Sequence, residues 1–323
     1  MKGRGIEETL PLRLGISSCL LGNEVRFDGG HKRDPFSADG LGKFVEWVPV
    51  CPEVEAGMGI PRPAMRLVDS GDGVRLVEIR SEIDHTQSME KYAAQRVRAL
   101  GKLDLCGYVL KQGSPSCGMT RVKVYGAKKK LTTQGVGLYA SALLGAYPSL
   151  PVEEEGRLHD AKLRENFIER IFAYRRLREL FEGRWSASGV VEFHSRHKLQ
   201  LMAHSTESYR KLGSWLASIK GTPRPVFRDT YMKGFMDGLG QMATRGRNAD
   251  VLNHAAGHLK KYLDSASRME LAELIDKYRR ELVPLVVPIT LLRHHVRRFE
   301  VDYLKGQVFL EPHPEELMLR NHV

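Results

Sequence analysis

The sequence predicts an α/β domain built on a mainly parallel sheet, followed by an all-α domain. Three observations carry this. The chain has 323 residues, more than the roughly 250–300 at which single hydrophobic cores stop growing, so two domains are expected. Before residue 150, short apolar runs of strand length are interspersed with helical patterns, as in a Rossmann-like sheet covered by helices. After residue 150 only the three-to-four-residue spacing of amphipathic helices remains. The expected domains are therefore 1–150 and 151–323.

Taken in order, LRLGISSCL (12–20) and VEWVPVC (45–51) are short apolar runs that end at a cysteine and run into Gly- or Pro-containing loops. A third run, LCGYVLKQ (105–112), stops just before GSPSCG. All three are expected to be buried strands that deliver cysteine-bearing loops to one sheet edge, the edge at which open α/β sheets bind ligands. Between the second and third, SMEKYAAQRVRALGKL (88–103) has helical spacing at Tyr92, Val97 and Leu100, with Gly101 as a stop. GVGLYASALLGAY (135–147) reads as another helix on that sheet. LPVEEEGRL, with three adjacent acids and a glycine, is the expected boundary. Beyond it Leu163, Phe167, Ile171, Tyr174, Leu177 and Phe181 mark one amphipathic helix. Further helical patterns cover 191–219, 227–245, 249–264 and 268–282, with a break at GTPRP (221–225), where Pro223 and Pro225 cannot continue a helix.

Apolar residues make up 42% of the chain and charged residues 28%, the balance of a globular protein. No run approaches the roughly 18 apolar residues of a membrane span, and the first residues lack the apolar core of a leader, so a cytoplasmic protein is expected. In that reducing compartment Cys19, Cys51, Cys106 and Cys117 are expected to be thiols or metal ligands rather than disulfides. The net charge is +11, and residues 101–150 carry seven Lys/Arg against the single acid Asp104. That balance suits a polyanion such as nucleic acid; a solvated Lys-rich turn at 128–130 accounts for it equally well. Nothing in the sequence points to an obligatory protein partner, and the oligomeric state is open.

The cysteines form no C-x-x-C pair, which argues against a zinc finger or ribbon. Cys106 lies inside an apolar strand and reads as a small core residue. Three loop cysteines on one sheet edge can hold a cluster of iron and sulfide with one iron lacking a protein thiolate, an open position of the kind catalytic metals keep. Two core cysteines and a lone thiol nucleophile are the alternatives. GSPSCG matches neither G-x-x-x-x-G-K-[ST] nor G-x-S-x-G, so phosphate-loop and hydrolase readings fail on spacing.

The stretches SSCLLGNEVRFDGGHK (17–32), VPVCPEVEAGMGIPRP (48–63) and LKQGSPSCG (110–118), with GVG at 135–137, resemble the non-redox desulfidases typified by thiouracil desulfidase. FHSRHKLQLMAHS and YRKLG in the second half resemble the YbgA-type helical domain, and the fusion of the two looks like tRNA 4-thiouridine desulfidases. The resemblance implies a 4Fe-4S cluster on Cys19, Cys51 and Cys117, with one open iron that takes the thiocarbonyl sulfur while water attacks the carbon, and tRNA as substrate. Replacing C=S by C=O needs no net electrons; it needs a soft Lewis acid, a base and a proton donor. Glu53, two residues after Cys51, is the candidate base on the strength of the resemblance, against a carboxylate that caps the next turn or pairs with Arg62. Ser114 and Ser116 are left to orient the thiocarbonyl or pass a proton, with Ser114 preferred from the family pattern.

Arg26 and Asp28 are candidates for contact with base or phosphate, or else form a salt-bridged turn; Lys111 is a further substrate-binding candidate. Where free-standing family members often place an acid after PRP, this chain has Met65 and Arg66, and an arginine there suits a phosphate-bearing substrate. In the helical half His194, His197 and His204 lack a companion carboxylate at matching spacing, so zinc is not expected. FHSRHK and RHHVRR (293–298) read as basic surface facing nucleic acid, so the helical domain is expected to bind RNA, and Tyr209, Trp215 and Tyr231 read as core rather than as a stacking platform. Two other functions compete: an RNA-binding or redox-sensing iron-sulfur protein in which Cys106 is the fourth ligand, and a desulfidase of free thiouracil.

Overall fold

A computed structural model describes residues 12–126 and 131–322 of the chain. The lysines at 128–130 lie outside the described residues. The chain divides into two compact units, Met1–His159 and Asp160–Val323.

The first unit is built on strands β1 (Leu12–Ser17) and β2 (Val45–Val50), with a short helix α1 (Pro52–Glu55) directly after β2. Next come β3 (Met65–Asp69), β4 (Val74–Glu78), α2 (Thr86–Leu100), β5 (Gly107–Leu110), β6 (Val122–Tyr125), β7 (Leu131–Gly135), α3 (Leu138–Ala146) and β8 (Val152–Glu154). Four of the strands form an all-parallel sheet in the order β2-β1-β5-β8. Its central strand β5 is buried at every residue, as expected of a parallel strand covered on both faces. Gly15 in β1 pairs with Tyr108 in β5, and a Cβ at Gly15 would lie 2.1 Å from the Tyr108 ring. That glycine is what lets a tyrosine fill the centre of the sheet.

The sequence reading missed a second sheet of mixed sense, ordered β4-β3-β6-β7. Its signal is MRLVDSGDGVRLVE: two alternating β-branched runs around a glycine-rich turn, where Gly71 and Gly73 adopt positive φ. The expected boundary at 150 also moves. VEE (152–154) is the fourth parallel strand, so the first unit closes at His159.

The second unit is helical: α4 (Ala161–Phe181), α5 (Ala187–Arg196), α6 (Lys198–His204), α7 (Thr206–Leu216), α8 (Arg224–Gly240), α9 (Arg245–Leu259), α10 (Ser265–Arg279), α11 (Val286–Arg298) and the short α12 (Asp302–Lys305). Asp160 caps α4 by accepting from the amides of Lys162 and Leu163. The continuous pattern over 191–219 is three helices, because His197 leaves helical geometry and Ser205 caps α7 through the Ser208 amide. Pro223 and Pro225 open α8, as the break at GTPRP required. Tyr231 is buried, and Trp215 stacks on Phe227 at 5.9 Å in the same aromatic core. Among the described residues no helix is long and apolar enough to cross a membrane.

Candidate functional site

The C-terminal ends of β1, β2 and β5 open onto a cavity of about 330 Å³ lined by Cys19, Cys51 and Cys117. Each cysteine is placed by local chain chemistry. Cys19 sits in a single 3₁₀ turn after β1, which Gly22 ends at φ +97, and its carbonyl accepts from the amides of Gly22 (3.3 Å) and Lys32 (3.0 Å). Cys51 is the N-cap of α1, with Pro52 at the first helical position, and the Glu55 carboxylate accepts from the Cys51 amide at 2.9 Å. Cys117 lies in a tight loop that Ser114 holds, its hydroxyl oxygen accepting from the amides of Ser116 (3.2 Å) and Cys117 (3.1 Å). The first turn of α3 docks on the same loop: Gly137 donates to the Gly118 carbonyl at 2.8 Å, and a Cβ at Gly137 would lie 2.5 Å from the Ser116 carbonyl. This is why GVG belongs to the motif.

Cys106 is elsewhere. Its amide donates to the Arg13 carbonyl at 2.8 Å and its thiol to the Asp104 carbonyl at 3.6 Å, at the N-terminal edge of the sheet. Strands rise about 3.3 Å per residue, so the length of β1 separates it from the cysteine cavity.

Burial pushes the Cys19 thiol up to about 11, aided by the neighbouring Cys51. It raises Cys51 as well, and Cys117 well above the usual thiol range, the latter partly offset by a hydrogen bond with Ser17. Thiols held protonated in this way are poor nucleophiles, and a bound cation reverses the balance by coordinating thiolate. The thiols surround the cavity rather than converge on a point: among the described residues no three His, Cys, Asp or Glu side chains could hold a single metal ion. The donor set, three thiols and no imidazole around one space, fits a cluster that spreads its ligands over several irons.

Glu53 lines the cavity beside Cys51. One carboxylate oxygen accepts from Arg62 Nε at 2.8 Å and also from its Nη2, while the other accepts from Ser116 Oγ at 2.9 Å. Arg62 is itself fixed, donating through Nη1 to the carbonyls of Val25 and Gly59, both at 3.1 Å. The Arg62 pairing considered as the bland alternative for Glu53 is therefore present, and it holds the carboxylate at the cavity wall. Ser114 lines the cavity, whereas Ser116 is fully buried behind Glu53.

The other candidates separate. Arg26 and Lys111 line the cavity; Lys111 also pairs with Glu155. Asp28 does not line it: the Gly30 amide, the nearest group to its carboxylate, holds the acid below the usual range, as in a capped turn. Arg66 is turned away, its guanidinium 5.4 Å from the Tyr125 ring and 3.9 Å from Glu82, because alternation along β3 points Met65 toward the cavity and Arg66 to the other face. Lys32, Phe27 and Gln112 line the cavity and were not singled out from the sequence. The EEE run read as a boundary instead braces the site. Glu154 accepts from the amides of Met119 (2.8 Å) and Thr120 (3.2 Å), and Glu155 from that of Gln112 (2.7 Å).

In the helical unit the three histidines do not meet. His194 contacts the Tyr231 hydroxyl at 3.1 Å, His197 the Phe193 carbonyl at 2.8 Å, and His204 the Glu169 carboxylate at 2.9 Å. The arginines of RHHVRR are partly neutralised, with Arg293 and Arg297 both paired to Glu311.

Comparison with known proteins follows the same division. Residues 14–155 match the family described as 2-thiouracil desulfurase, and residues 198–314 the family described as a protein of unknown function, DUF1722. The uncharacterized protein YbgA of Escherichia coli (strain K12) is 33% identical over 158 residues, 49% of this chain and 94% of that protein. The uncharacterized protein YbbK of Bacillus subtilis (strain 168) is 29% identical over 111 residues, 32% of this chain and 71% of that one. Among solved structures, a 4Fe-4S-dependent thiouracil desulfidase, TudS, matches with a TM-score of 0.39 and 30% identity, covering 46% of this chain and 94% of that one. The chain thus belongs to the family of YbgA, and joins a 2-thiouracil desulfurase domain to a DUF1722 domain.

Proposed function

We propose that the first unit is a non-redox desulfidase that hydrolyses a thiolated uracil, water supplying the new carbonyl oxygen and the sulfur leaving as hydrogen sulfide, and that its substrate is 4-thiouridine in tRNA. The observation that carries the reading is the grouping of Cys19, Cys51 and Cys117 around one cavity whose wall also holds the anchored carboxylate of Glu53. The match of residues 14–155 to the 2-thiouracil desulfurase family supports the same chemistry. In this reading the three thiolates hold a 4Fe-4S cluster, which when bound supplies a soft Lewis acid for the thiocarbonyl sulfur.

The chain's own residues do the rest. Glu53, held by Arg62 and Ser116 in a fixed orientation, takes a proton from the attacking water. Ser114, whose oxygen is occupied by two backbone amides, keeps its own proton to donate toward the substrate. Phe27, 38% exposed, offers a ring face beside the cavity, and Arg26 and Lys32 offer charge for a phosphate. These cations favour a nucleotide over a free base. A four-thiolate sensor is disfavoured by the place of Cys106, at the opposite edge of the sheet.

The test is one turnover assay on protein prepared without oxygen. Loss of the near-ultraviolet absorbance of thiolated tRNA without added reductant, together with iron and sulfide in the protein, is the expected result. Free 2-thiouracil in competition decides the substrate: weak inhibition supports tRNA, and preferential turnover of the base overturns it. Activity in a Cys19→Ser, Cys51→Ser or Cys117→Ser variant that binds no iron would refute the assignment of the cluster.

A further inference from the structure

A second cavity, of about 300 Å³, lies wholly within the helical unit. Its floor is built from buried charge. Arg320 donates to the Phe309 carbonyl at 2.6 Å and pairs with Glu169, whose other oxygen meets His204 Nε2 at 2.9 Å. The side chains of Arg320, Glu169 and His204 are 8%, 5% and 3% exposed. The set is incomplete: Arg320 Nε is buried without a hydrogen-bond partner. Glu165, one turn before Glu169 on α4, is 3.5 Å from that nitrogen and 3.4 Å from His322 Nε2, both longer than good hydrogen bonds.

Buried ionic groups cost free energy unless every member is satisfied, so a network left open toward a cavity gains nothing for the fold by remaining open. Burial and the nearby Glu169 push the Glu165 carboxyl above the usual carboxylate range, a perturbation of the kind that collects at functional sites.

The lining falls into two tiers. Deep in the cavity, Asn166 commits its amide nitrogen to the Leu239 carbonyl (2.9 Å) and Asn248 commits its own to the Tyr278 hydroxyl (3.1 Å). Both amide oxygens remain for a ligand, beside the carboxyl of Glu165. This tier asks for a pair of N–H donors, whose hydrogen bonds favour the ionised form of Glu165 and so draw off its proton. The second tier is cationic: Lys162 is exposed, and Arg245 opens α9 just after its cap Thr244, its guanidinium 4.9 Å from the Tyr278 ring, with Nη1 donating to the Tyr278 carbonyl at 3.0 Å and Nε 3.2 Å from Glu281, which leaves Nη2 for an anion. A helix N-terminus flanked by two cations suits an anion. The volume falls at the lower end of small-molecule pockets.

We infer that the DUF1722 unit binds a nucleotide at this cavity, the donor edge of a guanine-type base on Glu165, Asn166 and Asn248 and the phosphate on Lys162 and Arg245. Guanine places N1–H and the exocyclic amine side by side, whereas uracil offers one N–H between two acceptors, so guanylate is favoured. The nucleotide can come free or from an unstacked position in an RNA strand. The site shares no residue with the cysteine cavity, so its failure would leave the desulfidase reading standing.

Calorimetric titration of the full chain with GMP, UMP, guanosine, inorganic phosphate and a short single-stranded guanylate-containing RNA tests this. Saturable binding of GMP or of the RNA is expected, with UMP at least about tenfold weaker, the loss tied to one bidentate edge. Glu165→Gln, which keeps the shape, should weaken GMP by a similar factor while leaving the melting temperature unchanged or higher. Lys162→Ala, at an exposed position, should weaken GMP and leave guanosine unaffected. Binding of the RNA alone assigns the site to a strand, and competition by GMP assigns it to either source. Absence of saturable binding by both, equal affinity for phosphate and GMP, or indifference to both substitutions would overturn the proposal.

Discussion

A thiol becomes a metal ligand by losing its proton, and burial at Cys19, Cys51 and Cys117 opposes that loss until a cation arrives. Removing any of the three is therefore expected to remove iron and sulfide, whereas Cys106→Ser should retain both; iron and sulfide analysis after oxygen-free preparation checks the contrast. Glu53→Gln keeps one acceptor oxygen, enough for Ser116 or for Arg62 but not for both, and removes the base. It is expected to lower kcat by about 10²–10⁴-fold with iron content unchanged. The cysteines and Glu53 were legible because short motifs surround them. Arg62 was legible only as an alternative partner for Glu53; that it holds the carboxylate on the cavity wall depends on the nearby Gly59 carbonyl and on that of Val25, which is distant in sequence. Arg66 was misread because its direction follows from the parity of a strand the sequence reading had not recognised.

At the scale of elements, the parallel strands were visible as apolar runs, and their loops as the motifs that follow them. The mixed sheet was not, since its strands are only four or five residues long and half polar, with burial patterns that alternate weakly. β8 was hidden by its acids: three adjacent glutamates suggest solvent, yet Glu153 and Glu154 are buried because Arg157 and the amides of residues 119–120 receive them. Glu154→Ala leaves the half-buried Met119 amide unpaired, whereas water can reach the amide of exposed Thr120, and is expected to cost about 1–3 kcal/mol in all, read by chemical denaturation. Gly137→Ala forces a methyl against the Ser116 carbonyl, and overpacking of that kind costs about 1–3 kcal/mol. It should also lower cluster retention, since α3 and the Cys117 loop cannot both keep their places.

For the whole molecule, charge and protonation set the conditions of function. With a net charge of +11, turnover of thiolated tRNA is expected to fall steeply between about 50 and 200 mM salt, as phosphate contacts are screened, while turnover of a free base changes little. Burial lowers His194 to about 4 and His197 well below the usual imidazole range. Between about pH 6.5 and 4 the unfolded chain then binds more protons than the folded helical unit. Stability is fully present above that window and declines as pH falls through it, which denaturant titrations at several pH values will register. The most direct measurement of the central claim is a Mössbauer spectrum of anaerobically reconstituted protein, recorded with and without a 4-thiouridine-containing RNA. One iron site in four distinct from the rest, and altered by the thiolated RNA alone, is the result predicted for three thiolates and an open corner. Four like sites indifferent to that RNA, or protein that takes up no iron, would contradict it.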